Sequence, residues 1–165
     1  MKSYFFYNRS NNGFTLIELV ITLALVGLLA SLASPTFGFI VKHRKEQELK
    51  SALMEIRSAI DRYKLSVDEG KVTKTADQSG YPPNLQALYQ GVLDASDSGG
   101  EKKIYFLRKL PRDPFYPDSS VDDVSTWGKR SYESSYNKPV EGKDVYDVFS
   151  LSPDTGMNGI PYKKW

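Results

Sequence analysis

Glu18 is the one ionisable side chain between Phe14 and Ala33, a 20-residue stretch that is otherwise almost wholly apolar. A lone charge placed in hydrocarbon costs roughly 2.5 kcal/mol or more, and such groups usually have a partner and a role. No basic residue lies within one helical turn of it. The partner is therefore water, another chain, or a positive charge created nearby. Cutting the chain after Gly13 would create one, the freed amine of Phe14. The segment before the cut, Met1–Gly13, is short and mostly polar, carries Lys2 and Arg9 without any acid, and ends in glycine, a small residue suited to a protease subsite.

The rest of the reactive inventory is thin. There is no cysteine, which removes disulfides, thiol catalysis and cysteine metal sites. His43 is the single histidine and stands among charges, badly placed for a triad. No phosphate-cradling glycine motif occurs, so an enzyme is not expected. Asp113, Asp118, Asp122 and Asp123 form an acidic group that reads as a solvated loop rather than a metal site. A second cluster, Ser150 to Gly159, fails as an EF-hand because Gly156 sits where a ligand belongs and Trp165 where the bidentate glutamate belongs. The net charge is +2, and the leader accounts for it: from Phe14 onward 20 basic residues balance 20 acidic ones (22 less Lys2 and Arg9). That balance gives no reason to expect a nucleic-acid partner.

These residues need elements to hold them. At 1.5 Å per residue, about 20 apolar residues make roughly 30 Å of helix, the thickness of a bilayer's hydrocarbon core. A secretory signal peptide would have a shorter run. Gly27 and Pro35 punctuate this helix, and a proline inside a helix removes a hydrogen bond and kinks or opens it. Beyond it, Leu49, Leu53, Ile56, Ile60, Tyr63 and Val67 recur at spacings of four and three, one apolar stripe along a helix that ends near Gly70. Lys50, Glu55, Arg57, Asp61 and Arg62 form its wet face. Lys42–Glu48, charged nearly all round, reads as the bridge between membrane and domain. A short helix is expected at Leu85–Leu88, an exposed acidic loop at Asp94–Glu101, a short strand or irregular apolar segment at Lys103–Leu110, and strands at Arg130–Tyr136 and Asp144–Leu151. The 130 residues after the first 35 of 165 suffice for one domain. The fold class is α+β: a long N-terminal helix, half membrane-spanning and half amphipathic, packed on a small antiparallel sheet.

Gly13-Phe14-Thr15-Leu16-Ile17-Glu18-Leu19-Val20 resembles the signature of class III signal peptides in type IV pilins and type II secretion pseudopilins. Further along, Tyr81-Pro82, Leu110-Pro111-Arg112-Asp113-Pro114, Trp127-Gly128-Lys129-Arg130-Ser131-Tyr132, Tyr146-Asp147-Val148-Phe149-Ser150 and Trp165 resemble, in order, the major pseudopilin of type II secretion. The pattern departs from that family where Phe115–Thr126 intervenes between Asp-Pro and Trp-Gly. The resemblance implies a type IV pilin-like fold and four regions. These are a cleaved leader (1–13), a membrane and filament-core helix (14–35), an amphipathic helix half (36–69) and a periplasmic globular region (70–165).

It implies that a prepilin peptidase cuts between Gly13 and Phe14 and methylates Phe14, that Glu18 neutralises the Phe14 amine of a neighbouring subunit, and that Gly27–Pro35 can bend or melt on packing. Many members of that family bind calcium in the C-terminal loop, for which Asp154 and the Leu151 carbonyl match here while later aspartates are replaced at Ile160-Pro161-Tyr162; the alternative is a tight Gly/Asn turn pinned by Tyr162 and Trp165 with no metal. The positive-inside rule does not choose an orientation, because Lys42-His43-Arg44-Lys45 is as basic as the leader. The resemblance places the N-terminus in the cytoplasm, with a single pass through the inner membrane and the C-terminal domain in the periplasm.

The function so implied is that of a homopolymeric structural subunit in a periplasmic pseudopilus driving type II secretion. Its partners would be minor pseudopilins, the inner-membrane assembly platform with its ATPase, and membrane lipid. The alternative is a type IV pilus subunit serving adhesion, motility or DNA uptake, against which the lack of cysteine speaks. The mature chain is expected to begin at a methylated Phe14. Intact-mass measurement of membrane-extracted protein checks this, and retention of Met1 in cells with active prepilin peptidase would refute it.

Overall fold

The computed structural model describes the backbone of residues 13–165 and the side chains of all of these but 32–37. The leader up to residue 12 and the side chain of Pro35 lie outside the described residues. The main element is α1 (Leu16–Asp68), 53 residues that continue without a break past Gly27 and Pro35. It opens on a cap that the sequence carries as Thr-x-x-Glu: Thr15 Oγ1 accepts the Glu18 N–H at 3.3 Å. It closes on Gly70, whose φ of +74° suits only glycine without strain. There the Gly70 N–H donates to the Val67 carbonyl at 3.0 Å and the Lys71 N–H to the Ser66 carbonyl at 2.9 Å, the paired bonds that satisfy the last orphan carbonyls of a helix.

The chain divides into two compact units, one ending at Val41 and the other running Lys42–Trp165. The amphipathic half of α1 from Lys42 therefore belongs to the globular unit and forms its spine. All six members of the apolar stripe are buried there, joined by Ala52 and Ala59. The stripe meets Leu85 and Leu88 from the short helix α2 (Gln86–Gln90), then Phe106, Leu107 and Leu110, then Trp127, Val148 and Tyr162.

Two separate antiparallel hairpins take the place of the single small sheet expected. In the first, β1 (Val92–Leu93) pairs with β2 (Lys103–Ile104), Val92 opposite Ile104, around the acidic loop. In the second, β3 (Trp127–Arg130) pairs with β4 (Asp147–Ser150), Trp127 opposite Ser150 and Gly128 opposite Phe149. Gly128 is required by that register, because a Cβ there would run into the Phe149 ring.

The strand expected over Arg130–Tyr136 thus ends where it was expected to begin. The reason is local competition for its donors. Tyr132 N–H is taken by Asp144 Oδ1 at 2.8 Å, Ser134 N–H by the Ser131 carbonyl at 3.1 Å, and the Ser134 hydroxyl accepts from Val140 N–H at 2.8 Å. These serines and aspartates turn the chain where a ladder would have continued it. Likewise Lys103–Leu110 pairs for two residues only, after which Phe106 and Leu107 N–H both donate to the Leu88 carbonyl at 2.9 Å.

Burial of the stripe holds this unit together. Ile56, with no exposed surface, is expected to cost about 2–5 kcal/mol when cut to alanine, whereas Ser51→Ala on the wet face stays within about 0.5 kcal/mol. Ile60→Asp buries an unpaired charge and is expected to prevent folding. Urea unfolding of detergent-extracted protein, followed through the buried Trp127, distinguishes the three.

Candidate functional site

The N-terminal part of α1 presents an uncovered apolar cylinder. Every large apolar side chain from Phe14 to Leu29 is more than half exposed. A helix that is hydrophobic all round needs a membrane or a packed assembly around it. Two of its described hydroxyls are satisfied within the helix: Thr22 Oγ1 donates to the Leu19 carbonyl at 2.9 Å and Ser31 Oγ to the Leu28 carbonyl at 2.7 Å. Among the described residues no helix is long and apolar enough to cross a membrane. The stretch expected to do so, 14–35, includes residues 32–35, whose side chains are not described.

Glu18 stands in the first turn of α1. There the helix's own N-terminal partial positive charge favours a carboxylate, typically by about 0.3–1 kcal/mol. The sequence reading overlooked this support, although the Thr15-x-x-Glu18 spacing announces it. None of the ion pairs among the described residues involves Glu18. Phe14 lies just outside the helix and is 81% exposed, and a Cβ added at Gly13 or Gly27 would meet nothing within 4 Å. Neither glycine is required by packing within the described chain.

The second region is the C-terminal loop. Leu151 and Asp154 are exposed. The Asp154 N–H donates to Ser152 Oγ at 3.3 Å, and its carbonyl accepts from Tyr162 N–H at 3.1 Å. Gly156 and Ile160 close a tight turn through a 2.9 Å hydrogen bond, with Gly159 at a φ of +78°. A Cβ at Gly156 would overlap the Trp165 ring. Tyr162 is fully buried, stacked on Phe115 at 4.2 Å and edge-on to Trp165 at 5.0 Å.

Three charged residues fasten this loop and its neighbours to α1: Arg57 and Arg62, expected on the wet face, and Glu46, expected in the bridge between membrane and domain. Glu46 is 4% exposed, and its Oε1 accepts from Met157 N–H at 2.8 Å and Tyr162 Oη at 2.9 Å. Arg57 donates to Asp147 Oδ1 (2.8 Å), to the Val148 carbonyl (3.0 Å) and to the main-chain oxygen of Trp165 (2.8 Å). Arg62 donates to the Phe106 carbonyl at 2.6 Å. Glu46 was legible in principle: 46, 49 and 53 continue the alternation of three and four by which the stripe was found.

The acidic group does not converge. Asp113 is buried, its carboxylate accepting from Ser150 Oγ at 2.6 Å and Phe115 N–H at 2.8 Å. Asp122 caps the 3₁₀ turn Asp123–Thr126. Asp123 faces Lys109 and Arg112. Asp118 accepts from Ser120, which holds its carboxyl below the usual range.

A threonine-capped, first-turn glutamate behind Gly-Phe on an apolar helix, with an α+β unit following in the chain, is the arrangement of the pilin-like class that carries an N-terminal methylation motif. Residues 8–34 match the family described as "Prokaryotic N-terminal methylation motif". The chain is 31% identical to the type II secretion system core protein G of Pseudomonas aeruginosa, covering 92% of this chain and 89% of that one. It is 29% identical to the protein of the same name from Klebsiella michiganensis, over 82% and 90%, and 27% identical to that from Vibrio cholerae, over 92% and 86%. No solved structure matches. The chain belongs to the type II secretion system core protein G family, the major pseudopilins.

The Tyr162 hydroxyl carries a pH signature. Burial, then the hydrogen bond to Glu46 and that carboxylate's charge, push its pKa above the usual tyrosine range. The folded chain thus holds this proton more tightly than the unfolded one. The stability it contributes is complete below the unfolded value of about 10 and is lost as pH rises beyond it. Melting is expected to fall more steeply above about pH 10 in the native protein than in Tyr162→Phe, which keeps the ring and lacks the proton.

Proposed function

We propose that the mature chain is the repeating structural subunit of a periplasmic pseudopilus that drives type II secretion, and that it has no catalytic part in the process. The observation that carries this reading is the uncovered apolar helix with a single carboxylate in its first turn, in a member of the core protein G family. Lipid of the inner membrane covers that surface in the free subunit, and neighbouring copies cover it in the filament. The C-terminal unit stands in the periplasm.

In this reading a prepilin peptidase cuts between Gly13 and Phe14 and methylates the new amine. Glu18 then accepts the Phe14 ammonium of the adjacent copy, so a charge that is costly in the lone subunit becomes paired only in the correct register. Gly27 and Pro35 let the helix bend during packing. Minor pseudopilins start the filament, and the inner-membrane platform with its ATPase supplies the energy.

The test is a gene deletion complemented with native protein or with Glu18→Ala. Deletion is expected to abolish export of secreted proteins while twitching and DNA uptake continue, and the native gene restores export. Glu18→Ala is expected to give normal subunit levels in the membrane and few filaments, since it leaves each Phe14 ammonium without its carboxylate, at about 3–5 kcal/mol per subunit. Normal filaments from that variant would refute the pairing. Loss of twitching with an unchanged secretome would refute the secretion role.

A further inference from the structure

We infer that a tethered ammonium, Lys42 Nζ, takes the place of a divalent cation in closing the C-terminal loop, so that this subunit folds without metal. Lys42 and Glu46 lie four residues apart on α1 and therefore on one face of it. Both reach the loop. Lys42 Nζ donates to the Thr155 carbonyl at 2.9 Å, while Glu46 Oε1 takes the Met157 N–H and the Tyr162 hydroxyl. The helix thus supplies one cation and one anion to neighbouring main-chain groups of a single turn.

The loop's own oxygens do not suit calcium. That ion takes six to eight oxygen ligands, charged ones among them. Between Leu151 and Trp165 the only carboxylate side chain is Asp154. The Thr155 carbonyl is held by Lys42, and the Asp154 carbonyl accepts from Tyr162 N–H. The Ile160 carbonyl accepts from both Gly156 N–H and Trp165 Nε1, and Asn158 Oδ1 accepts from Ile160 N–H. Among the described residues no three acidic or histidine side chains gather closely enough to hold a metal. A dication entering here would also meet the Lys42 charge. The Leu151 carbonyl and Asp154 are accordingly not a calcium site in this chain. The inference concerns the single subunit and holds whatever that subunit assembles into.

The test uses full-length protein in detergent: native, Lys42→Met, Glu46→Gln and Glu46→Ala. Each is melted with chelator or with excess calcium chloride, and the loop is probed by tryptic cutting at Lys163 and Lys164. The native protein is expected to melt within about 2 °C under both conditions. Lys42→Met keeps the aliphatic stem but leaves the Thr155 carbonyl without its donor, and its loop is expected to be cut several-fold faster, with or without calcium. Glu46→Gln retains an acceptor oxygen and should stay close to native, whereas Glu46→Ala should melt about 4–8 °C lower or fail to accumulate. Calcium raising the native melting temperature by more than about 10 °C would overturn the inference. Native-like protection of the loop in Lys42→Met would overturn it equally, and that variant remains informative if Glu46→Ala does not fold.

Discussion

The 3.6-residue period of α1 is the constraint on which the second unit rests. From Leu49 to Val67 the six stripe residues fall on one side of the helix and all are buried, with Ala52 and Ala59 beside them, while Met54 and Leu65 face outward. The partners they find could not stand alone. The hairpins have strands of two and four residues, too short to be stable as isolated pairs in water. What makes them persist is a continuous apolar surface, preformed along the helix, on which they and α2 are laid. Upstream of Lys42 the same backbone carries apolar residues on all sides, and no such one-sided solution exists. One helix thus meets two solvation requirements: its all-round apolar part lies in the unit that ends at Val41 and its one-sided stripe in the unit that begins at Lys42, with the charged run 42–48 between them.

Over the apolar contacts lies a set of charged side chains used as donors and acceptors to main chain. Arg57 alone ties α1 to β4 and to Trp165, and Glu46 ties it to the C-terminal turn. Hydrogen bonds to charged groups typically contribute about 1.5–3 kcal/mol. Here they also set register, since main-chain groups of an irregular loop have no ladder to define their places. No buried polar side-chain atom among the described residues is left without a partner, which is notable in a unit whose sheets are so small.

How much of this could be read beforehand follows from the physics of each signal. The stripe and the Gly70 stop were legible because helical periodicity and left-handed glycine are local. The short helix after Tyr81-Pro82 and the acidic loop were legible from turn residues for the same reason. Arg130–Tyr136 was misread because its alternation resembles a strand, while its serines and Asp144 capture the backbone from positions that only the fold brings near. Arg57 and Arg62 were assigned to the wet face, and Glu46 to the bridge before the domain, because a charged residue is exposed by default. Their partners lie far along the chain, and no local pattern reveals those partners, although the spacing of 46, 49 and 53 puts Glu46 itself on the stripe's face. At the N-terminus Glu18 was singled out by being out of place, yet the Thr15 cap that helps to support it was missed.

The fasteners of the C-terminal turn join residues at opposite ends of the unit. Lys42 and Thr155 are 113 positions apart, Glu46 and Tyr162 are 116 apart, and Arg57 and Trp165 are 108 apart. Contacts of such separation form late, because the chain between them must first be gathered in. In a chain delivered N-terminus first, the amphipathic half of α1 emerges early with its stripe bare, and its closing partners arrive more than 100 positions later. The unit cannot reach its final state part-way through delivery. A chain delivered in this way therefore stays pliable until Thr155, Tyr162 and Trp165 have arrived, and only then acquires the rigidity of the folded unit.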